Sequence, residues 1–142
     1  MQIHQVLSKI MSVEDPTLYH LVNNIIHEAA PLAVHHRNYV VNNVPADLCI
    51  ETNGAMVSSV LSKLFQTVVR NVQNSVILVS AKVYGMSVLI QIKSKGVVSP
   101  GLAEEIGHAS IRAQNTGGII EIIQCEAGQA SVAYCFLNVA AA

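Results

Sequence analysis

The sequence predicts a two-layer α/β (α+β) sandwich, in which a mixed, largely antiparallel sheet carries helices packed on one face. Two observations lead to this prediction. Hydrophobic residues make up 51% of the 142 residues and charged residues only 12%, which provides enough apolar side chains for one sizeable core. Amphipathic helical segments also alternate along the chain with pairs of β-branched segments, an order that places helices against a sheet of hairpins.

The N-terminal third is predicted to contain two helices followed by two short strands. Apolar side chains lie on one side of a short helix over residues 2–11. Thr17 is placed to cap a second helix, and Pro31 should bend or end it because proline clashes with the preceding turn. Residues 38–45 and 47–52 are then expected to form the strands.

The central helix has the strongest pattern in the chain. Asn53 can cap it, and apolar residues recur along it at i, i+3, i+4 and i+7 from Met56 to Val72. One edge of this helix carries polar side chains about one turn apart. They are Lys63, Thr67, Arg70, Asn71 and Asn74.

The second half of the chain predicts two hairpins with a helix between them. Residues 75–94 are rich in β-branched side chains and should form two strands joined near Tyr84-Gly85. Residues 99–118 predict a helix that ends at its two terminal glycines. Residues 118–140 predict a closing hairpin that turns at about Ala127-Gly128.

Bulk properties exclude several classes of protein. The formal net charge of −1 argues against nucleic acid or an acidic membrane surface as a partner. No apolar run approaches the roughly 18 residues of a membrane span, and the first residues lack the order of a signal peptide. The chain has three cysteines, an odd number, and no C-x-x-C pair, so neither a set of disulfides nor a thiolate zinc site is indicated. We therefore expect Cys49, Cys125 and Cys135 to be buried, reduced thiols. We therefore predict a cytoplasmic protein without a membrane span.

The histidines around the end of the second helix raise the question of a metal site. His20 and His27 are seven residues apart, about 10 Å along a helix, which is too far for one ion. His35 and His36 are adjacent and would diverge on any regular element. We therefore expect no metal site here.

Three segments carry a resemblance to a known family. "LVNNIIHEAAPLAVHHRNYVVNNVP" is similar to a first helix with a Pro-Leu-Ala end and a first strand, and "MVSSVLSKLFQTVVRNVQNS" to a helix written V-L-x-N-L-L-x-N-A. "GGIIEIIQCEAGQASVAYCFLNV" is similar to a closing hairpin that opens with G-G-x-I. Together they resemble the ATP-binding domain of sensor histidine kinases, from about Thr17 to Val139. The resemblance implies the Bergerat, GHKL-type fold, in agreement with the predicted sandwich.

The family's phospho-acceptor pattern does not fit this chain. That pattern is His-Glu-x-x-x-Pro-Leu, with proline five residues after the histidine, whereas Pro31 comes four residues after His27. An acceptor histidine also needs a second long helix to complete its bundle, and the sequence predicts none. We therefore interpret this stretch as the end of a helix that leads into the first strand.

The resemblance implies a metal site on the central helix. Aligned on Val60-Leu61, the asparagine that binds Mg²⁺ in the family falls on Thr67, and the preceding asparagine falls on Lys63. A threonine hydroxyl can still bind a hard cation, but more weakly and with less reach.

The adenine-binding motif of the family, D-x-G-x-G, falls on "SKGVV". Ser94 then stands for the aspartate, Gly96 for the first glycine and Val98 for the second. Loss of a charged acceptor costs roughly 1.5–3 kcal/mol, and Val98 adds a side chain where the family leaves space. The positions of this degenerate nucleotide site are Lys63, Thr67, Asn71, Ser94, Gly96 and Val98.

The glycine-rich ATP lid of the family has no counterpart here. Only Gly101 and Gly107 lie between Gly96 and Gly117, and no G-x-G occurs among them. The phosphates therefore lack the backbone cradle that glycine-rich turns supply. Basic side chains are the remaining means of attracting an anion, unless they only form a solvated edge. They are Lys63, Arg70, Lys93 and Lys95.

These departures together predict a domain that kept the fold and lost ATP binding and catalysis. It is expected to need no cofactor and to act through a protein partner in two-component-type signalling. Residues 1–14 would form an N-terminal helix for docking or homodimerisation, and residues 15–142 the ATPase-like domain with its shortened lid. Two alternatives remain open, namely a kinase domain with a relaxed ATP–Mg site, of the sensor or anti-sigma-factor type, and a binder of another small molecule.

Overall fold

A five-stranded mixed sheet forms one layer of the protein, and helices cover one of its faces. The computed structural model describes residues 17–114, 118–126 and 128–140. The strand order is β1-β2-β3-β5-β4, in which β1 runs parallel to β2 and the other neighbours are antiparallel. The strands are β1 (Tyr39–Asn42), β2 (Val72–Tyr84), β3 (Ser87–Val98), β4 (Ile119–Glu126) and β5 (Gln129–Leu137). The helices are α1 (Leu18–Glu28), α2 (Ala30–His35), α3 (Gly54–Asn71) and α4 (Leu102–Gln114). This architecture confirms the predicted fold class.

The first two helices follow the capping and proline signals of the sequence. The Thr17 side chain accepts a hydrogen bond from the backbone N–H of His20, as an N-cap residue does. The helix then breaks at Ala29, and Pro31 lies in the first turn of α2, where its missing N–H removes no helical bond. The predicted bend near Pro31 is confirmed, whereas the predicted helix over residues 2–11 lies outside the described residues.

The strand predicted over residues 47–52 is wrong. Only Cys49 pairs, in an isolated bridge with Thr17. The Asn138 side chain bonds the backbone of this segment instead: it accepts from the Glu51 N–H at 2.8 Å and donates to the Cys49 carbonyl at 3.0 Å. Because a distant side chain supplies these bonds, the segment needs no neighbouring strand.

The central helix passes directly into β2 without a loop. It ends at Asn71, and Val72 is already extended, so the predicted continuation through Val72 to Asn74 is wrong. The buried Asn38 side chain stabilises this junction by donating to the carbonyls of Val69 and Val72 and accepting from the Ser75 N–H. Asn74 has a positive φ of 52°, a conformation that asparagine tolerates better than most residues.

The core lies between α3 and the covered face of the sheet. The apolar stripe of α3 is buried almost throughout, and every second residue of the central strands faces it. The largest fully buried side chains include Phe65, Leu64, Ile77, Ile90 and Tyr134.

Both predicted hairpins are present. Gly85 makes the β2–β3 turn with a φ of 60°, and Gly128 lies in the β4–β5 turn, while Ala127 and Gly117 lie outside the described residues. The cysteines are free as expected, but they are not buried: Cys49 and Cys125 are exposed, and Cys135 is half-buried.

Candidate functional site

The predicted Lys63 and Thr67 line a cavity of about 130 Å³ between α3 and α4. Helix α4 packs its apolar side into the fold, with Leu102, Ile106, Ala109 and Ala113 buried. Its other side meets the polar edge of α3. The cavity is lined by Lys63, Thr67, Arg70, Glu105, His108, Ala109 and Arg112.

A carboxylate clasp joins the two helices at this cavity. The Glu105 carboxylate accepts from the Arg70 guanidinium at 2.7 Å and from the Asn71 amide nitrogen at 2.9 Å. Asn71 is buried, and the same nitrogen also donates to the Thr67 carbonyl at 2.8 Å. We call Arg70, Asn71 and Glu105 the Glu105 clasp. It fixes α4 against the end of α3.

The clasp holds Glu105 in its charged form. Its hydrogen bond from Arg70, and then that from Asn71, lower the pKa of the Glu105 carboxyl below its ordinary value. Burial raises this pKa by less than either hydrogen bond lowers it, and the positive charges of Arg70 and Lys63 lower it a little further. The carboxylate is therefore ionised at neutral pH.

Thr67 is buried beneath this cavity and bonds within its own helix. Its hydroxyl donates to the Lys63 carbonyl at 2.8 Å, one turn earlier. This is the usual way for a threonine in the middle of a helix to satisfy its hydroxyl group.

The three predicted adenine-side positions lie along β3. Val98 is opposite Val72, directly after Asn71, and the following Ser99 N–H donates to the Asn71 carbonyl at 2.7 Å. Ser94 lies four residues earlier, about 13 Å along the strand, and is buried. Its hydroxyl has no hydrogen-bond partner among the residues that the structure describes. The structure thus brings Val98 next to the clasp, but not Ser94.

Gly96 has a packing reason to be glycine. A Cβ atom at this position would lie 2.7 Å from the Gln73 carbonyl oxygen and 2.8 Å from the Ser75 Cα. Both contacts are with the irregular stretch of β2 where the β2–β3 register shifts. The close approach of two strands therefore accounts for this glycine without any ligand.

The basic side chains named from the sequence separate into two groups. Lys63 and Arg70 face α4, whereas Lys93 and Lys95 lie on the uncovered face of the sheet, beside a second cavity of about 290 Å³. Polar side chains dominate this second cavity, and Gln91 donates to the Ser131 hydroxyl within it. The four cations therefore do not form a single anion site.

Sequence reasoning missed the contribution of α4. Glu105, His108 and Arg112 recur at i, i+3 and i+7, so they lie on one face of that helix. This spacing is visible in the sequence and was the available signal. Which partner the face would meet depends on how α4 docks, and the sequence does not specify this.

Within residues 17–114, 118–126 and 128–140, no three side chains of the His, Cys, Asp and Glu types are close enough to hold a metal ion. None of the described helices combines the length and the apolar character that crossing a membrane requires.

The fold is similar to that of solved histidine kinases, although no family model and no curated protein matches the chain. The nucleotide-free catalytic domain of the histidine kinase ThkA has a TM-score of 0.71 at 14% identity, covering 88% of this chain and 95% of that one. A histidine kinase from Burkholderia phymatum has a TM-score of 0.67 at 10% identity, covering 97% and 77%. The cytoplasmic segment of the histidine kinase QseC has a TM-score of 0.61 at 14% identity, covering 96% and 93%. The chain therefore has the α/β fold of the catalytic, ATP-binding domain of histidine kinases.

Proposed function

We propose that this chain is a histidine-kinase-like ATPase domain that has lost ATP binding and catalysis and acts through protein contacts in two-component-type signalling. The observation that carries the proposal is the Glu105 clasp, which fastens α4 at the end of α3. A regular helix thus follows β3, where the family has a mobile lid with glycine-rich turns. A fixed helix with side chains offers few of the free backbone N–H groups that hold phosphates.

The helix pattern of the family also fits one turn later than the alignment on Val60-Leu61. Leu64-Phe65 then takes the opening Val-Leu, Thr67 the first asparagine and Asn71 the second. This alignment assigns the metal-ligand position to Asn71 instead of Thr67. The amide is retained, but the Glu105 carboxylate bonds its nitrogen and places a negative charge where the phosphates of ATP would approach.

The residues at the positions of the adenine-binding motif support the same proposal. Ser94 provides no charged acceptor for the adenine amine and is buried, and Val98 carries a side chain at the second glycine position. Gly96, the one retained glycine of the motif, is accounted for by strand packing. Asn71 and Gly96 are thus accounted for by contacts within the fold, whereas the buried Ser94 hydroxyl has no hydrogen-bond partner among the described residues.

Calorimetry with Mg-ATP tests the proposed loss of binding. We expect no saturable heat at millimolar nucleotide and no rise in melting temperature. A nucleotide that did bind would be detected, because at 100 times its Kd it would add about 2.7 kcal/mol to the free energy of unfolding. The histidine kinase ShkA, which was crystallised with AMPPNP, provides a positive control. Micromolar Mg-ATP binding would overturn the proposal and favour a kinase domain with a relaxed site.

The role in protein contacts rests on the uncovered face of the sheet. Tyr84, Ile119 and Leu137 are each more than half exposed there, and the pairing of β3 with its neighbours brings them together around Leu89 and Cys135. Exposed apolar patches of this kind often mark interaction surfaces. The histidine kinase ThkA has been solved in complex with a response regulator protein, so a signalling protein is the partner we propose.

A further inference from the structure

We propose that residues 2–11 dock on the patch around Leu137 of their own domain and cover it. The docking follows from the fold and the sequence alone, whereas its consequence for signalling rests on the proposed function. Five apolar side chains on the uncovered sheet face form the patch. They are Tyr84, Leu89, Ile119, Cys135 and Leu137.

The patch leaves a large apolar surface in water. Tyr84, Ile119 and Leu137 are 60%, 56% and 53% exposed, and Met86 in the adjoining β2–β3 turn is exposed as well. The described helices pack on the opposite face of the sheet, so none of them covers this surface. Because burial of apolar surface is favourable by about 25 cal/mol per Å², a segment with a matching apolar side would be stabilised here.

Residues 2–11 have such a side, and it is of the right length. The helix predicted for them is about 15 Å long at 1.5 Å per residue. Tyr84 on β2 and Ile119 on β4 are separated by three strand spacings of about 4.8 Å, so the patch is about 14 Å wide. The apolar residues of the segment recur at i, i+3, i+4 and i+7, on one side of the predicted helix. They are Ile3, Val6, Leu7 and Ile10.

The segment joins the fold close to the patch. Thr17 pairs with Cys49, and the Cys49 carbonyl accepts from the Asn138 side chain at 3.0 Å. Asn138 directly follows Leu137, so these three steps place Thr17 within roughly 16 Å of the patch. Residues 12–16 can span up to about 17 Å, which is enough to bring the predicted helix around the end of the sheet.

This short connection favours the segment's own domain over a second copy. A segment attached through a few residues is presented to its target at an effective concentration on the order of millimolar. A second copy would have to be present at about the same concentration to compete equally for the patch. We therefore assign the patch to the segment of the same chain.

Docking makes the surface proposed for a signalling partner conditional. A partner can bind the patch only in molecules whose segment has left it. If the patch is covered in about nine molecules of ten, the apparent affinity for the partner falls about tenfold. Release of residues 2–11 would then be the step that permits the contact.

Alkylation of Cys135 in the full chain tests the docking, because this thiol lies in the middle of the patch. Its reaction with N-ethylmaleimide, followed by mass spectrometry of the peptides, should be slow in the wild type. Leu7→Glu/Ile10→Glu places two charges on the apolar side of the segment and should accelerate the reaction about tenfold, as expected if about one wild-type molecule in ten is uncovered. The exposed Cys125, at the far end of β4, is the internal control and should react equally in both proteins.

Matched variants separate docking from charge and from general loosening. Gln5→Glu/Ser8→Glu adds the same two charges on the other side of the predicted helix and should leave the Cys135 rate unchanged. On the sheet, Leu137→Gln should raise the rate, whereas Val34→Gln, at an exposed position of α2, should not. The amide NMR spectrum of each variant reports whether it is folded.

Equal Cys135 rates in the wild type and in Leu7→Glu/Ile10→Glu would overturn the proposal. A wild-type rate that rises on dilution by about a hundredfold would overturn it too, because that dependence assigns the cover to a second copy. Neither nucleotide nor partner is present in this experiment, so a negative result leaves the proposed loss of ATP binding intact. Conversely, Mg-ATP binding would refute the proposed function and leave the protection of Cys135 standing.

Discussion

At the scale of single residues, two glycines provide a matched test of packing. Gly96→Ala should destabilise the protein by about 1–3 kcal/mol, because its Cβ would collide with β2 backbone atoms that cannot move aside cheaply. Gly107 lies inside α4 with open space around its Cα, so Gly107→Ala should stabilise by about 0.5–1 kcal/mol. Chemical denaturation measures both. Equal stability of the Gly96 variant and the wild type would contradict the packing explanation.

Glu105 makes stability depend on pH in a defined direction. Its folded-state pKa is lowered, so its contribution is fully present above the unfolded pKa of about 4.5 and is lost as pH falls through the folded value. The side chain is 38% exposed, so we expect a contribution below about 1 kcal/mol. Denaturation curves between pH 3 and 7, compared with Glu105→Gln, should show this loss in the wild type only. The exposed neighbour variant Glu104→Gln is the control and should follow the wild type.

At the scale of elements, the α3–β2 junction depends on Asn38. Asn38→Ala leaves the carbonyls of Val69 and Val72 and the Ser75 N–H without their partner, so we expect a loss of about 2–4 kcal/mol. Asn24→Ala, on the exposed side of α1, is the control and should cost less than about 0.5 kcal/mol. A small effect at Asn38 would show that the junction is stabilised mainly by its apolar neighbours.

The sequence correctly predicts the elements that are determined by residues within the element itself. The stripe of α3, its Asn53 cap and both hairpin turns follow from spacing and turn residues, and the structure contains all of them. The errors occur where a distant side chain decides the structure, since Asn138 bonds residues 49–52 and Asn38 ends α3. The same reason applies to the candidate site. Lys63 and Thr67 could be named from one helix, but Glu105 joins the site only because α4 docks against it.

At the scale of the whole molecule, residues 1–14 remain the proposed docking or dimerisation segment. If the helix predicted over residues 2–11 contacts another copy, the full chain should be a dimer in multi-angle light scattering and a chain lacking residues 1–14 a monomer. If it docks on its own domain, both chains should be monomers. Circular dichroism of the shortened chain is the control for folding. A dimer that persists after the deletion would assign the contact elsewhere, for example to the patch around Leu137.

The bonds of Asn138 also have a consequence for the order of folding. They join residues 87 and 89 positions apart, so the backbone of Glu51 and Cys49 gains these partners only after the chain has been made as far as Asn138. Contacts of such long range form slowly, because a large loop must close first. The segment that leads into α3 should therefore be among the last to become ordered when the protein refolds. In a pulse-labelling experiment, protection of the Glu51 amide would report when Asn138, directly after β5, reaches its place.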